Sequence, residues 1–304
     1  IKDGSTTIIG DRVAFNDSTG TSQAIGNVIV TDTAQGTTLI TNQLFRENEG
    51  NRTLATGKPL LIIKQDADSL FLTADTIFSA LMPPLPTISN KKDSITSKND
   101  KTLVKGTKKV IANKTDTTLR YIEAFHHVKI YSDSLQAVCD SLYYADADSI
   151  FRLFDNPVVW SKESQITGDT IWLFTKNKKA SRLKVFENSL LVNEVEKEIY
   201  NQIGSIRMEA LFTEGSLDSA RAFGNAETIY YLQDDDSAYT GINESKSDMI
   251  DIYFKQKEPN RIVLRGAVKG TVWPIQQKSP SSMRLDKFIW EGLKRPKSKS
   301  SLLE

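Results

Sequence analysis

Gly26-Asn27-Val28-Ile29-Val30-Thr31, followed after a turn by Thr37-Thr38-Leu39-Ile40-Thr41-Asn42-Gln43-Leu44, is the stretch on which the fold reading rests. A small or polar residue and Asn lead into alternating apolar residues. The phrase returns as Gly57-Lys58-Pro59-Leu60-Leu61, His126-His127-Val128-Lys129-Ile130, Asp155-Asn156-Pro157-Val158-Val159, Glu187-Asn188-Ser189-Leu190-Leu191 and Gly224-Asn225-Ala226-Glu227-Thr228. It is answered by Ala74-Asp75-Thr76-Ile77, Cys139-Asp140-Ser141-Leu142 and Gly168-Asp169-Thr170-Ile171, with Thr41-Asn42-Gln43-Leu44 as a weaker first copy. Recurrence at roughly 30 to 40 residues, with a strand pattern inside each unit, marks stacked β-rungs. The chain therefore reads first as an elongated scaffold.

Period-two alternation supports this, as in Val128 and Ile130 against Lys129 and Tyr131, or Ile171 and Leu173 against Trp172 and Phe174. Segments such as Asp17-Ser18-Thr19-Gly20, Asn48-Glu49-Gly50-Asn51 and Asp234-Asp235-Asp236-Ser237 supply turn-closing side chains. Many short strands with almost no helical periodicity predict an all-β class, a sandwich, barrel or solenoid. Leu60-Leu61-Ile62-Ile63 and Ile150-Phe151-Arg152-Leu153-Phe154 are apolar on both faces, so both faces of these strands are expected to be at least partly covered.

The 304 residues suffice for a large core, and 39 Lys and Arg against 38 Asp and Glu leave a net charge of +1. That balance gives no electrostatic reason to expect a nucleic-acid partner. The single cysteine, Cys139, stands where the matching phrases carry Ala74 and Gly168 and reads as a small buried residue rather than a nucleophile. No apolar run reaches the 18 or so residues of a spanning helix. The chain begins at Ile1 rather than Met, which leaves room for a preceding export signal, lipid anchor or domain.

Two segments break the pattern. Residues 82–118 run from Met82-Pro83-Pro84-Leu85-Pro86 into Ser, Asn, Thr, Asp and many Lys, and read as a flexible insertion between an N-terminal lobe (1–81) and a C-terminal lobe (119–280). In the last segment, 281–304, Leu285, Phe288, Ile289 and Leu293 fall at helical spacing before Pro296, which predicts an amphipathic helix over about 283–294 with a basic tail of Lys294, Arg295, Lys297 and Lys299. Its expected role is a plug over the open end of the β-stack; the alternative is docking to a membrane surface or protein partner.

Chemistry-bearing motifs are scarce. His126 and His127, read as neighbours on a strand, point to opposite faces, so neither a shared metal nor a His-based triad is expected. Asp234-Asp235-Asp236, Asp146 and Asp148 lack calcium-loop spacing and read as turn formers. There is no Gly-rich phosphate loop and no Gly-x-Ser-x-Gly, and no cofactor is expected. Trp160, Trp172, Tyr230, Tyr231 and Trp273 read as packing residues, with a sugar-stacking surface as the alternative.

The opening phrase and its answer resemble the OstA-like family, which includes the periplasmic bridge of lipopolysaccharide transport. Units at 55–78, 124–144, 156–173 and 222–231 have the same build, and with the Leu285–Pro296 ending they resemble the longer OstA-like proteins of the Bacteroidetes. The resemblance implies a twisted β-jellyroll of two facing antiparallel sheets held open in a V. It implies an apolar interior for the acyl chains of lipopolysaccharide or a related glycolipid, a periplasmic location in outer-membrane biogenesis, and edge strands that pair with other such jellyrolls or a second copy. No enzymatic activity is implied.

Within that frame Lys129 assigns the faces: it should meet water, placing Val128 and Ile130 inward. By the matched phrases Val28, Val30, Pro59, Leu61, Ala226 and Thr228 share the inward face, with Glu227 outside. Val28, Val30, Leu61, Val128, Ile130 and Thr228 are then the expected lipid-groove residues, and Leu285, Phe288, Ile289 and Leu293 the expected docking residues. Two other readings stand beside the lipid carrier: a closed-core adaptor that binds protein partners through edge strands, and a carbohydrate-active solenoid with an acidic cluster beside an aromatic cleft.

Overall fold

A computed structural model describes residues 1–64, 69–83, 119–177, 179–234, 236, 238–255 and 258–302. Among them the chain is almost wholly β: β1 (Lys2–Asp3), β2 (Thr6–Ile9), β3 (Arg12–Asn16), β4 (Thr21–Asp32), β5 (Thr37–Glu47), β6 (Arg52–Thr56), β7 (Leu60–Lys64), β8 (Ser69–Thr73), β9 (Thr76–Leu81), β10 (Arg120–Tyr131), β11 (Gln136–Ala145), β12 (Ile150–Phe154), β13 (Val158–Ser161), β14 (Ser164–Thr167), β15 (Thr170–Lys176), β16 (Lys179–Glu196), β17 (Ile199–Thr213), β18 (Ser216–Gln233), β19 (Tyr239–Lys255), β20 (Glu258–Arg265) and β21 (Lys269–Pro274). The helical elements among these residues are single 3₁₀ turns, such as Glu49–Asn51. Most of the expected insertion, 84–118, lies outside the described residues; its flanks meet where the Met82 N–H donates to the Leu119 carbonyl at 2.8 Å.

The pairing is antiparallel throughout and folds one long ladder lengthwise into two facing sheets. The N-terminal half of β4 pairs with β3 and with the C-terminal half of β5, whereas its C-terminal half pairs with β2 and the N-terminal half of β5. The same exchange continues rung by rung to β19, whose two halves carry β20 and β21 as the last strands. β9 and β8 both pair with β10, so each sheet continues from the residues before the insertion to those after it.

The recurring phrase is the corner between the sheets. Gly26-Asn27, His126-His127, Asp155-Asn156, Glu187-Asn188 and Gly224-Asn225 all have positive φ at both residues, as do Gly57-Lys58 and Gly266-Ala267. Gly, Asn, Asp and His tolerate this left-handed region best, which is why those residue types recur there. The answering Asp is the opposite corner. One residue there faces two on the neighbour, so the register slips between Ile25 and Val28, Phe125 and Val128, Phe186 and Ser189, and Phe223 and Ala226. The N–H groups of Asp75, Asp140 and Asp169 donate to the carbonyls of His126, Asp155 and Glu187 at 3.0, 3.3 and 3.2 Å. Asn27 donates to Asp11 at 3.0 Å and Asn188 to Asp169 at 2.9 Å. Each left-handed non-glycine residue costs about 1–2 kcal/mol, and such bonds return about 1 kcal/mol apiece.

The histidines belong to this corner, which corrects their placement on a regular strand. His126 Nδ1 meets Asp140 Oδ1 at 3.2 Å and His127 Nδ1 meets Asp75 Oδ2 at 2.9 Å, each ring bridging to a different neighbouring rung. Among the described residues no group of three His, Cys, Asp or Glu is arranged to hold a metal ion.

Inside the fold, register aligns the apolar residues into rows across the strands. In the first sheet, Ala24, Leu44, Ala55, Ile77, Ala124, Leu142, Leu153, Ile171, Val185, Met208, Ala222, Ile250 and Leu264 are successive cross-strand partners. In the second, Ile8, Val30, Leu39, Leu61, Leu72, Ile130, Ala137, Val159, Ile166, Leu191 and Ile203 do the same, and the row then turns polar at Thr228 and Ser245. Burial of these facing rows is the main stabilising contribution, at about 25 cal/mol per Å² of apolar surface.

The outer face of the first sheet carries charge and aromatic contacts instead. The Arg152 guanidinium sits between the rings of Tyr143 and Trp172, 5.5 and 5.0 Å from their centres. Two strands further, Glu209 pairs with Arg182 and Lys184, and Asp251 receives Arg221 and Arg265 at 2.5 and 2.9 Å. Burial opposes ionisation of Asp251, but hydrogen bonds from the two arginines outweigh it and hold the carboxyl below its unfolded value of 3.8. The arginines are half-exposed, so Asp251→Asn should cost only about 1–2 kcal/mol at neutral pH. The folded carboxyl is the stronger acid, so this contribution is complete above the unfolded value and lost as pH falls through the folded one. Melting temperatures of wild type and variant should differ at pH 7 and converge in acid.

The C-terminal segment corrects the expected helix. Residues 283–299 contain no helix; interrupted by turns that the Phe288 N–H closes to the Leu285 carbonyl and the Lys294 N–H to the Glu291 carbonyl, both at 2.9 Å, they cross the outer face of the second sheet, so the segment straps that face and does not plug the end of the stack. Buried Gln202 accepts the Leu285 N–H and donates to the Met283 carbonyl, both at 2.9 Å. Buried Gln165 accepts the Glu291 N–H at 2.7 Å and donates to the Ile289 carbonyl at 2.9 Å, and Gln136 accepts from the Arg295 guanidinium at 2.7 Å. These glutamines share one outward row, in which Gln136, Trp160, Gln165, Val192, Gln202 and Ile229 are successive partners. Peptide groups claimed by the sheet are unavailable to an i→i−4 ladder, so helical spacing of apolar residues did not make a helix here. Leu285 and Phe288 pack inward with Trp290 against Leu190, Val192 and Tyr200, whereas Ile289 and Leu293 are 45% and 98% exposed.

Candidate functional site

The two sheets do not fill the interior equally. From β11 to β19 the rows nearest the mouth of the V are also apolar: Phe151, Leu173, Leu183, Ala210, Ala220 and Ile252 follow one another across the first sheet and belong to one continuous buried core. Before β10 the same row reads Ser22, Arg46, Thr53 and Ser79, opposite Thr6, Asp32 and Thr37 on the second sheet. Short and polar side chains cannot meet across this gap, and a cleft of about 300 Å³ opens between the sheets.

The cleft is two-layered. Val30, Leu39, Leu61, Ile63, Ile77, Ile122 and Tyr144 line it with apolar surface, while Thr6, Asp32, Thr37, Arg46, Asn51, Thr53, Ser79, Arg120 and Asp146 supply polar groups. Asn51 orients both arginines: its side-chain oxygen accepts from Arg46 Nη2 at 3.1 Å and its carbonyl from Arg120 Nη2 at 3.0 Å. Arg120 Nε reaches Ser79 Oγ at 3.4 Å. Burial lowers the Arg120 pKa from its ordinary value; Asp32 and Asp146 nearby favour its charge and Arg46 opposes it. Asp32 Oδ1 accepts from Ser5 Oγ and the N–H groups of Ala34 and Gln35 at 3.0, 2.9 and 3.2 Å, and Asp146 Oδ2 accepts the Arg120 N–H at 3.0 Å.

Of the expected groove residues, Val30 and Leu61 line this cleft. Val28, Val128, Ile130 and Thr228 face the same interior but are packed within it, each at most 1% exposed. Thr228 lies where the second sheet's row has become polar, and its buried hydroxyl has no hydrogen-bond partner. Pro59 and Ala226 are buried as well, while Glu227 lies outside and accepts from Lys246 at 2.6 Å. Sequence reasoning missed Arg46, Asn51 and Arg120. A signal existed for both arginines: each stands two residues from an inward apolar residue, Leu44 or Ile122, at a register position that should itself face inward.

Outside the cleft, Cys139, Trp160 and Asp234 make packing and turn contacts. Cys139 is buried at the corner, and burial pushes its thiol up to about 12. Trp160 is fully buried and donates to Gln165 at 3.2 Å, and Asp234 closes the β18–β19 turn by accepting the N–H groups of Asp236 and Ala238. No helix among the described residues is long and apolar enough to cross a membrane.

No protein-family model and no curated protein matches the chain. Among solved structures it is similar to LptH from Pseudomonas aeruginosa, described as the LptA-homologous periplasmic component of the lipopolysaccharide transport device. The match has 12% identity, covers 58% of this chain and 80% of LptH, and has a TM-score of 0.22.

Proposed function

We propose that this chain is a non-enzymatic, lipid-binding β-scaffold of the bacterial periplasm, which shelters an acyl chain of lipopolysaccharide or a related glycolipid during outer-membrane biogenesis. The observation that carries this reading is the cleft, where apolar rows form the floor and polar residues the mouth. An acyl chain gains about 0.8 kcal/mol for each CH₂ taken from water. A floor of aliphatic side chains supplies that shelter without fixing the chain's position along the row.

A second reading rests on a separate observation. From β11 onward the interior is filled by its own side chains, as in a closed-core adaptor, and among the described residues β3 and β20 or β21 pair on one side only. Such edges accept a further strand from a similar jellyroll, a second copy or another protein.

Native mass spectrometry of protein purified from an envelope fraction, with and without added lipopolysaccharide, separates the two. A saturable lipid adduct supports the scaffold; a lipid-free mass in both conditions leaves the adaptor. Ile62 and Ile63 give a matched control, since Ile63 lines the cleft and Ile62 faces the other side of the same strand. Ile63→Asp should reduce lipid uptake at least tenfold and Ile62→Asp by less than about threefold in folded protein. Equal effects would refute the cleft as the binding site.

A further inference from the structure

We infer that the cleft takes one acyl chain of an anionic amphiphile, and that Arg46 and Arg120 hold its phosphate or carboxylate head at the mouth. This rests on the lipid reading above and adds the chemical class of the ligand. The volume decides how many chains enter: about 300 Å³ lies at the lower end of small-ligand pockets, which span roughly 300–1,000 Å³. One chain fits, and a bundle of chains does not.

The polarity of the mouth decides the head. Arg46 is 7% exposed and projects from the inward row of β5, a position that Leu44 and Ala55 fill with apolar groups one step deeper. Arg120 lies at the rim on β10, and Asn51 joins the two guanidinium groups through its side chain and its carbonyl. Asn51 brings the two guanidinium groups to one point, so an anion placed there is attracted by both at once. Arg120 uses Nε and one Nη in these contacts, and a guanidinium has five N–H donors, so it retains donors for a bidentate oxyanion.

Asp32 and Asp146 also line the mouth, and they oppose an anion there. Their oxygens are already engaged by uncharged donors: Asp32 Oδ1 accepts from a hydroxyl and two backbone N–H groups, and Asp146 Oδ2 accepts the Arg120 backbone N–H. Their presence favours anions able to take two parallel bonds from a guanidinium over diffuse single contacts, and it disfavours a free anion that gains nothing from the apolar floor.

The test is isothermal titration of the full chain with dodecyl phosphate, dodecanoate, dodecanol and inorganic phosphate, each amphiphile below its critical micelle concentration. Both anionic amphiphiles should bind at least tenfold more tightly than dodecanol, and inorganic phosphate should bind far more weakly than dodecyl phosphate. Arg120→Gln should shrink the anionic advantage to less than about threefold while leaving dodecanol affinity unchanged. Equal affinity for dodecanol and the anionic ligands overturns the arginine clamp and leaves the acyl shelter standing. Inorganic phosphate binding as tightly as dodecyl phosphate overturns the anionic-lipid assignment in favour of a free-anion site. Silence from every dodecyl ligand overturns the lipid reading itself. The wild-type series decides these outcomes even if Arg120→Gln fails to fold.

Discussion

A chain truncated after residue 282 will lose about 5 kcal/mol or more of stability, and its melting temperature will fall by roughly 10 °C or more. Met283, Leu285, Phe288, Trp290 and Leu302 leave the outer face of the second sheet together, and Tyr200, Leu190 and Val192 beneath the strap become wet. Removing one large apolar side chain from cover costs about 1.5–3 kcal/mol when burial is complete, and several here are partly exposed, which sets the lower bound. Gln165 and Gln202 add a second term. Each is fully buried and exchanges two hydrogen bonds with the strap backbone, so truncation replaces four such bonds with water. Denaturant unfolding of both forms, with an apolar dye reporting exposed surface, measures the effect. An unchanged midpoint with no added dye binding would show that the strap is a detachable tail.

The strap also shows why part of this molecule was not legible in the sequence. Leu285, Phe288, Ile289 and Leu293 have helical spacing, but the groups that decide their backbone are glutamines 83 to 126 positions away. Periodicity reports only which side chains can share a face of a free element. It carries no information about a distant amide that claims the peptide group first. Leu293, almost fully exposed, marks where the helical reading fails: a residue that would complete the apolar stripe of a helix is left in water on the turn that the Lys294 N–H closes to the Glu291 carbonyl.

The corners were legible for the opposite reason, since their cause is local. Asn27, Asn156, Asn188 and Asn225 occupy left-handed conformations, and the Asp of the answering phrase supplies a short side chain or backbone N–H across the bend. Those demands recur once per rung, so the repeat of the fold is written into the repeat of the phrase. The last corner, Gly266-Ala267 opposite Asp248, escaped because no alternating apolar run follows it: Lys269, Gly270 and Thr271 lie on an exposed strand. The inward register of Val128 and Ile130 followed from Lys129, and that of Val28 from the matched phrase. Whether an inward residue meets a cleft or a packed core depends on the size of its partner in the facing sheet, and Arg46 and Ser79 stand on other strands than Val30 and Leu61, outside the window that a strand pattern reports.

Gly168→Val will be among the most damaging single substitutions in the fold, because the vertex of the V has no room for a side chain there. A Cβ at Gly168 would stand 2.1 Å from Val185 Cγ1 and 3.0 Å from the Glu187 carbonyl oxygen. Val185 belongs to the inward row of the first sheet and is 1% exposed, so its methyl group has little space into which to retreat. Glu187 begins the neighbouring left-handed corner, and its carbonyl already accepts the Asp169 N–H at 3.2 Å. Moving either group disturbs both the core row and the corner, and the expected cost is about 3 kcal/mol, at the upper end for overpacked cores. Cys139 and Ala74 occupy the same position on other rungs, which shows that some corners are wider by a few atoms. Cys139→Val should therefore cost less than Gly168→Val, by about 1 kcal/mol or more in urea unfolding. Equal losses would mean that the corner conformation, and not the close approach of Val185, limits what this position accepts.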